Sequence, residues 1–276
     1  MMRLALAGLM ALGLLGQERI SFEVASVKPT ANGGDMRPMR QAYSPGGQLT
    51  ITNMPLYWLI ATAYDLPFQS KRLTGAPAWA YSERFDIQAI APEPPAAGTS
   101  AAAREARTRL MLRALLAERF GLVIRREMRD LPVYAMVAAK GGPKLTRAVI
   151  DEKDCPERPG DSGLYCHHPD GGMQSGIHGA AIDMNDVASL LESWMDRPVL
   201  DQTGIKGLYN VRTTGWAPLT ALAPGQNAPT GTENIADPEK PSVFRVFEEQ
   251  LGLKLEPKKA QVEIYVIGRV QRPGEN

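Results

Sequence analysis

A stretch of this chain returns 131 residues later. Glu118-Arg119-Phe120-Gly121-Leu122 is answered by Glu249-Gln250-Leu251-Gly252-Leu253. Val133-Tyr134 and Ile264-Tyr265 follow at the same shift. Upstream, that shift lays Ile51 on Ile182, Leu59 on Leu190, Asp65 on Asp196 and Pro67 on Pro198. One offset carried by separated blocks marks an internal repeat, and it constrains the architecture before any single motif is read. Common turn and cap chemistry explains it less well, because identical Glu, Gly, Tyr, Asp and Pro at one shift go beyond propensity.

Hydrophobic periodicity gives each half the same order of elements. Ser21–Val27 alternates polar and apolar residues and reads as a strand closed by Pro29. The first unit then has a strand at Gln48–Thr52 and a helix capped at Asn53, with Leu56, Leu59, Ile60 and Ala63 on its apolar stripe. A strand at Arg84–Ile90 and a helix from about Ala103 to Arg119 follow, with Gly121 as C-cap. Strands Leu122–Glu127 and Val133–Ala139 close the unit. The second unit has a strand at Ala180–Ile182, a helix capped by Asp183 or Asn185, a strand at Leu208–Arg212 and a long linker at Ala217–Pro241. A helix behind Ser242 ends at Gly252, and strands Leu253–Glu256 and Val262–Val270 finish it. The expectation is an α+β fold: two tandem repeats of a strand-helix-strand-helix-strand-strand unit, with mostly antiparallel sheets and helices on one face. The boundaries are 17–145 for the first unit with its N-terminal strand, 146–175 for a variable loop insertion, and 176–276 for the second unit.

Residues 1–16 read as a signal peptide. Met1-Met2-Arg3 carries one positive charge, and the apolar run Leu4–Leu15 is well short of the roughly 20 residues a membrane span needs. Export, to the periplasm or beyond the cell, is therefore expected. The formal net charge of the whole chain is +1 and falls to about zero without Arg3. Such a chain lacks the electrostatic footprint of a nucleic-acid binder and the basic face of a membrane-surface protein. No later apolar stretch is long enough to span a bilayer. In an oxidising compartment the two cysteines, Cys155 and Cys166, are expected to pair.

Several segments together resemble a known family. They include Phe22-Glu23-Val24-Ala25-Ser26-Val27-Lys28-Pro29, Gly75-x-Pro77-x-Trp79, Arg84-Phe85-Asp86-Ile87 and Leu115-Leu116-Ala117-Glu118-Arg119-Phe120. Pro132-Val133-Tyr134, Lys140-Gly141-Gly142-Pro143-Lys144-Leu145, Arg197-Pro198-Val199-x-Asp201-x-Thr203-Gly204 and the closing Pro273-x-Glu275-Asn276 continue the match. In this order they are similar to a soil-associated family of exported bacterial proteins of unknown function, the domain of unknown function 3738. Residues of about 146–175 stand outside the match. The resemblance implies export, and a signalling or envelope role through members linked to membrane sensor-proteases. It implies no catalytic residues. A likeness to the short N-terminal domains of secretins and TonB-dependent receptors is one of fold alone.

The chemistry-bearing residues do not assemble into a known catalytic set. Gly160-Asp161-Ser162-Gly163 matches the trypsin-like nucleophile motif, but no His precedes Ser162 in the chain. Asp201-Gln202-Thr203-Gly204 interrupts the aspartic-protease pattern and reads as an Asx-type turn. His167, His168 and His178, with Cys155, Cys166, Asp161 and Asp170, are zinc-ligand types without a standard zinc spacing. The expectation there is a polar loop with a disulfide, and a metal-binding 155–178 loop is the weaker alternative. Phosphate-loop, Rossmann, His-Glu-x-x-His and lipase-elbow patterns are absent, and no cofactor is implied. Trp58 and Trp194 lie on helices as core residues. Trp79 and Trp216 flank turns and are the candidates for ligand or partner contact. The reading is therefore a non-catalytic exported module that binds an envelope or extracellular protein, through exposed sheet edges among other surfaces. The alternative is an unrecognised hydrolase using carboxylates such as Asp65, Asp86, Asp196 or Asp201.

Overall fold

The computed structural model describes residues 20–30, 37–44, 46–96, 99, 101–155, 166–218 and 240–274. In chain order the strands and helices are β1 Val24–Pro29, β2 Arg40–Tyr43, β3 Gln48–Pro55, α1 Leu56–Ala63, β4 Leu73–Thr74 and α2 Trp79–Ser82. β5 Arg84–Ile90, α3 Ala101–Phe120, β6 Val123–Ala138, β7 Thr146–Arg147, β8 Asp170–Gly172 and β9 Gly176–Ile182 follow. The chain ends with α4 Met184–Glu192, β10 Val199–Asp201, β11 Tyr209–Arg212, α5 Val243–Val246, a π-helical turn Phe247–Leu251 and β12 Leu253–Arg269. Residues 1–16, expected to be a signal peptide, the Gly160–Gly163 motif and most of the Ala217–Pro241 linker lie outside the described residues.

The architecture is α+β with mostly antiparallel sheets. Three four-stranded sheets run β1-β5-β3-β2, β10-β6-β12-β4 and β7-β11-β9-β8. The middle sheet departs most from the sequence expectation. Where two short strands were expected at the end of each half, one long strand runs through. β6 and β12 pair antiparallel from Leu253↔Ala138 to Arg269↔Val123. Pro132 and Pro257 lie inside these strands, and register explains why they are tolerated. Tyr134 N–H points away from β12, donating to Pro198 C=O on the β10 side, so Pro132, two residues away, points its nitrogen outward too. Tyr265 N–H points outward to Arg72 C=O, and Pro257, eight residues away, shares that side. β10 and β4 do not reach these positions, so neither proline removes a ladder bond.

The long ribbon ties the halves together. β4, from the first half, pairs parallel with β12 at Tyr265↔Leu73, and β10, from the second, pairs parallel with β6 at Val199↔Tyr134. One core gathers α1, α3 and the β1-β5-β3-β2 sheet with Tyr265 and Ile267 of β12. The other gathers α4, α5 and β9 with Tyr134 and Met136 of β6 and Leu253 and Leu255 of β12. The helices are thus not buried solely on their own half's strands. α3 is a long helix with Met111, Leu112, Leu115, Leu116 and Phe120 buried on one stripe. It ends at Gly121 in the left-handed region (φ 57°), and the π-helical turn before β12 ends at Gly252 in the same region (φ 63°).

Asn53 does not cap α1. It lies within β3 at φ 56°, its N–H donates to the Asp86 carboxylate at 2.8 Å, and Pro55 holds the cap position without a side-chain bond. At α4 the expectation of Asp183 holds. Its Oδ1 accepts from Asp186 N–H at 2.8 Å, and Asp186 Oδ2 accepts from Asp183 N–H at 2.9 Å, a reciprocal capping box. Among the described residues no helix is long and apolar enough to cross a membrane.

Candidate functional site

Where the two halves meet, a cleft of about 1090 Å3 opens. Its walls are the segment after α1 (Asp65 to Arg72), the start of α3 (Glu105, Arg109), the 152–155 turn, His167 and His168, one face of α4, and β10 with Gln202. Helix registry places the α4 side: Met184, Val187, Ala188 and Leu191 turn into the core, which leaves Asn185, Asp186 and Ser189 toward the cleft.

The disulfide Cys155–Cys166 borders this cleft and joins the 152–155 turn to the histidine pair. His167 lies in the left-handed region (φ 60°). Its Nδ1 is 2.6 Å from Asp186 Oδ2, and its Nε2 is 3.0 Å from both oxygens of Glu152. Burial opposes a charge on this ring, but Asp186 and Glu152 outweigh it and hold the imidazole above its ordinary pKa. Burial, joined by the neighbouring Asp183 charge, pushes the Asp186 carboxyl up, against the pull of His167. The short contact to a ring flanked by carboxylates on both sides favours an imidazolium salt bridge. Such a ring has no lone pair to offer as a base.

The other histidines go elsewhere. The His168 Nδ1–H donates to Cys166 C=O at 2.8 Å, and its Nε2 lies 3.6 Å from Glu105. His178, on β9, faces Asp170 at 3.6 Å and does not line the cleft. A cation could be held by His167 with Asp183 and Asp186, whose ligand atoms lie within 4.8 Å of one another. The α4 N-terminus sits there too, and its dipole opposes a cation. Glu152, Cys155 and His167 also cluster, but Cys155 is spent in the disulfide and offers no thiolate.

The aromatic candidates separate. Trp216 is 1% exposed and packs edge-on against Phe247 in the second core, so as a contact residue it is a correction. A turn placed it beside a strand in sequence, but the chain folds that turn inward. Trp79 opens α2 half-buried, with the Arg272 guanidinium 4.9 Å over its ring and Glu83 closing the ion pair to Arg272. It is away from the cleft. Of the proposed carboxylates, Asp65 and Asp201 share the cleft, Asp86 is bonded by Thr30, Asn53 and Arg37, and Asp196 pairs with Arg197. Asp65 is ion-paired with Arg109 at 2.9 Å. Asp201 Oδ1 accepts from both the N–H and the O–H of Thr203, the turn expected from the sequence.

Sequence reasoning missed Ser70, Arg72 and Glu192: Glu192 Oε1 accepts from Ser70 Oγ–H and Arg72 Nε–H, which joins the halves, and of the three Arg72 lines the cleft. The available signal was Glu192 itself, four residues after buried Ala188 on the apolar stripe of α4.

The model of a protein family of unknown function, DUF3738, matches residues 57–270. The chain belongs to that family. The matched span takes in every residue lining the cleft, and it includes residues 146–175, which stand outside the motifs quoted above. No curated protein and no solved structure is significantly similar to this member.

Proposed function

We propose that the chain is an exported, non-catalytic binding module that takes its ligand in the cleft between its halves. The single observation carrying this is the cleft itself, walled by both halves and held by side chains already fixed in ion pairs and hydrogen bonds. An acid–base enzyme needs a group free to exchange protons with a substrate. Here His167 is engaged at both nitrogens, and Asp65 and Asp201 accept from fixed donors.

We take the cleft, and not the sheet edges, as the binding surface. The outer strands β2, β4, β7, β8 and β10 run only two to four residues, and β1 ends in a proline. These give little template for an added partner strand. The partner we infer is an envelope or extracellular molecule that presents a group small enough to enter the cleft.

Duplication of one α+β unit is the proposed origin of the site. Gly121 and Gly252 close helical turns alike, and Tyr134 and Tyr265 each meet a parallel strand from the opposite half. The ribbon pair Asp130↔Gln261 is separated by the same 131 residues as the sequence repeat. A two-fold through that pair would carry each strand onto the other. Residues 1–16 as a signal peptide, and the disulfide, support the export part.

The test is a melting-point screen of small polar compounds, repeated on Ser189→Trp, which fills the cleft from a partly exposed position. Compounds that stabilise the wild type should fail on the variant. A compound that stabilises both equally binds elsewhere and overturns the reading. Cell fractionation that finds the chain in the cytoplasm with reduced cysteines would remove the export part.

A further inference from the structure

The Glu192 side chain is 0% exposed. Removing a carboxylate from water is costly unless its oxygens are well bonded. Oε1 accepts from Ser70 Oγ–H at 2.6 Å and from Arg72 Nε–H at 3.1 Å, and Oε2 accepts from Val199 N–H at 3.3 Å. Arg72 is also fixed through its backbone. Its N–H donates to Ser70 Oγ at 3.1 Å, and its C=O accepts from Tyr265 N–H at 2.7 Å. Ser70 in turn is held at its C=O by Tyr57 O–H at 2.7 Å.

Only Nε of the guanidinium is used by this arrangement. Nη1 and Nη2 make no hydrogen bond among the described residues, and the Arg72 side chain, 24% exposed, stands on the cleft wall. The acids around it are engaged: Asp65 and Glu105 by Arg109, Asp186 and Glu152 by His167, Asp201 by Thr203. Two terminal nitrogens in a rigid fork fit a carboxylate or a phosphate. Beside the fork, Gln202 N–H bonds Met136 C=O, so by alternation the Asp201 main-chain groups point away from β6, along the strand edge that borders the cleft.

We propose that Arg72 is the anion anchor of the cleft, taking the carboxylate or phosphate group of a small ligand through Nη1 and Nη2. Buried Glu192 is its positioning residue. This rests on the binding-module reading and deepens it.

The test titrates sodium phosphate, N-acetylglycinate or neutral N-acetylglycinamide into the full chain at constant ionic strength set with chloride. The readout is the Arg72 Nε–H resonance and the Leu200 and Asp201 amides. Saturable shifts are expected with phosphate or with the carboxylate and not with the amide, and the arm that saturates names the group. Arg72→Lys keeps a cation beside Glu192 but loses the fork, and should weaken that binding roughly tenfold or more. Glu192→Gln should weaken the anion affinity read at Arg72 even where the melting point is kept, an effect a purely structural role for Glu192 would not give. Absence of saturation with either anion, or unchanged affinity in Arg72→Lys, overturns the anchor. A neutral compound stopped by Ser189→Trp, with the anions silent at Arg72, would overturn the anchor while sparing the cleft.

Discussion

His167 occupies a backbone region that non-glycine residues enter at a cost of about 1–3 kcal/mol, and two carboxylates hold it there. Its raised pKa fixes the sign of the pH dependence. The stabilisation is complete below the unfolded value of about 6.5 and is lost as pH rises through the higher folded value. The raised Asp186 carboxyl has the same sign of linkage, since it too binds a proton more readily when folded. His167→Gln should therefore lower the melting point more at about pH 5.5 than at about pH 9; an equal loss at both would remove the ion-pair account. Gly252 makes a different demand. At φ 63° a Cβ would stand 2.1 Å from Gly142 C=O, so Gly252→Ala should cost roughly 2 kcal/mol or more, measured by denaturant unfolding. Both glycines at the ends of the repeated block were legible as caps. The burial of Trp216 was not, because the sequence shows that a turn is present without showing which way its side chain points.

Helices and strands were legible where a local rule dominates. The capping box of α4 satisfies two otherwise orphan donors, so Asp183→Ala should cost about 1 kcal/mol in chemical denaturation, while Asn185→Ala should cost less. α1 shows the limit of the same rule. A residue with cap chemistry, Asn53, is drawn into β3 by the Asp86 carboxylate 33 positions away, and the helix starts behind Pro55 instead. The β6–β12 ribbon shows it again. Proline reads as a break, yet a strand with an open side admits it, and which side is open depends on how far β4 and β10 reach.

At the scale of the molecule, the Ser70–Arg72–Glu192 junction joins the halves, and its two charges are unequally buried. When Glu192 is lost, Arg72 can still reach water from the cleft. When Arg72 is lost, Glu192 stays sealed, with Ser70 and Val199 as its remaining partners. Arg72→Met should therefore destabilise more than Glu192→Met, with a gap of about 1–2 kcal/mol in denaturant unfolding. Equal losses would mean that the carboxylate reaches water by local opening. The cleft depends on this same closure of one half on the other. Among the described residues the one cleft ion pair within a single helix is Arg109–Glu105 of α3, while Asp65–Arg109, Glu152–His167, His167–Asp186 and Arg72–Glu192 join separate segments, so pattern reading found several of the residues without finding the site.

The longer helices and strands in their order, the helix ends at Gly121 and Gly252, the pairing of the two cysteines and membership of the family could be read from the residues alone, because each rests on periodicity, local backbone chemistry or a long run of matching residues; the short strands β2, β4, β7, β8 and β10 could not. Tertiary structure alone decided that the closing strands form one shared ribbon, that Trp216 is core, and that a buried glutamate aims an arginine at the cleft. Those outcomes depend on contacts between residues as far apart in the chain as Val123 and Arg269, and on which polar groups are left facing water once the halves have closed.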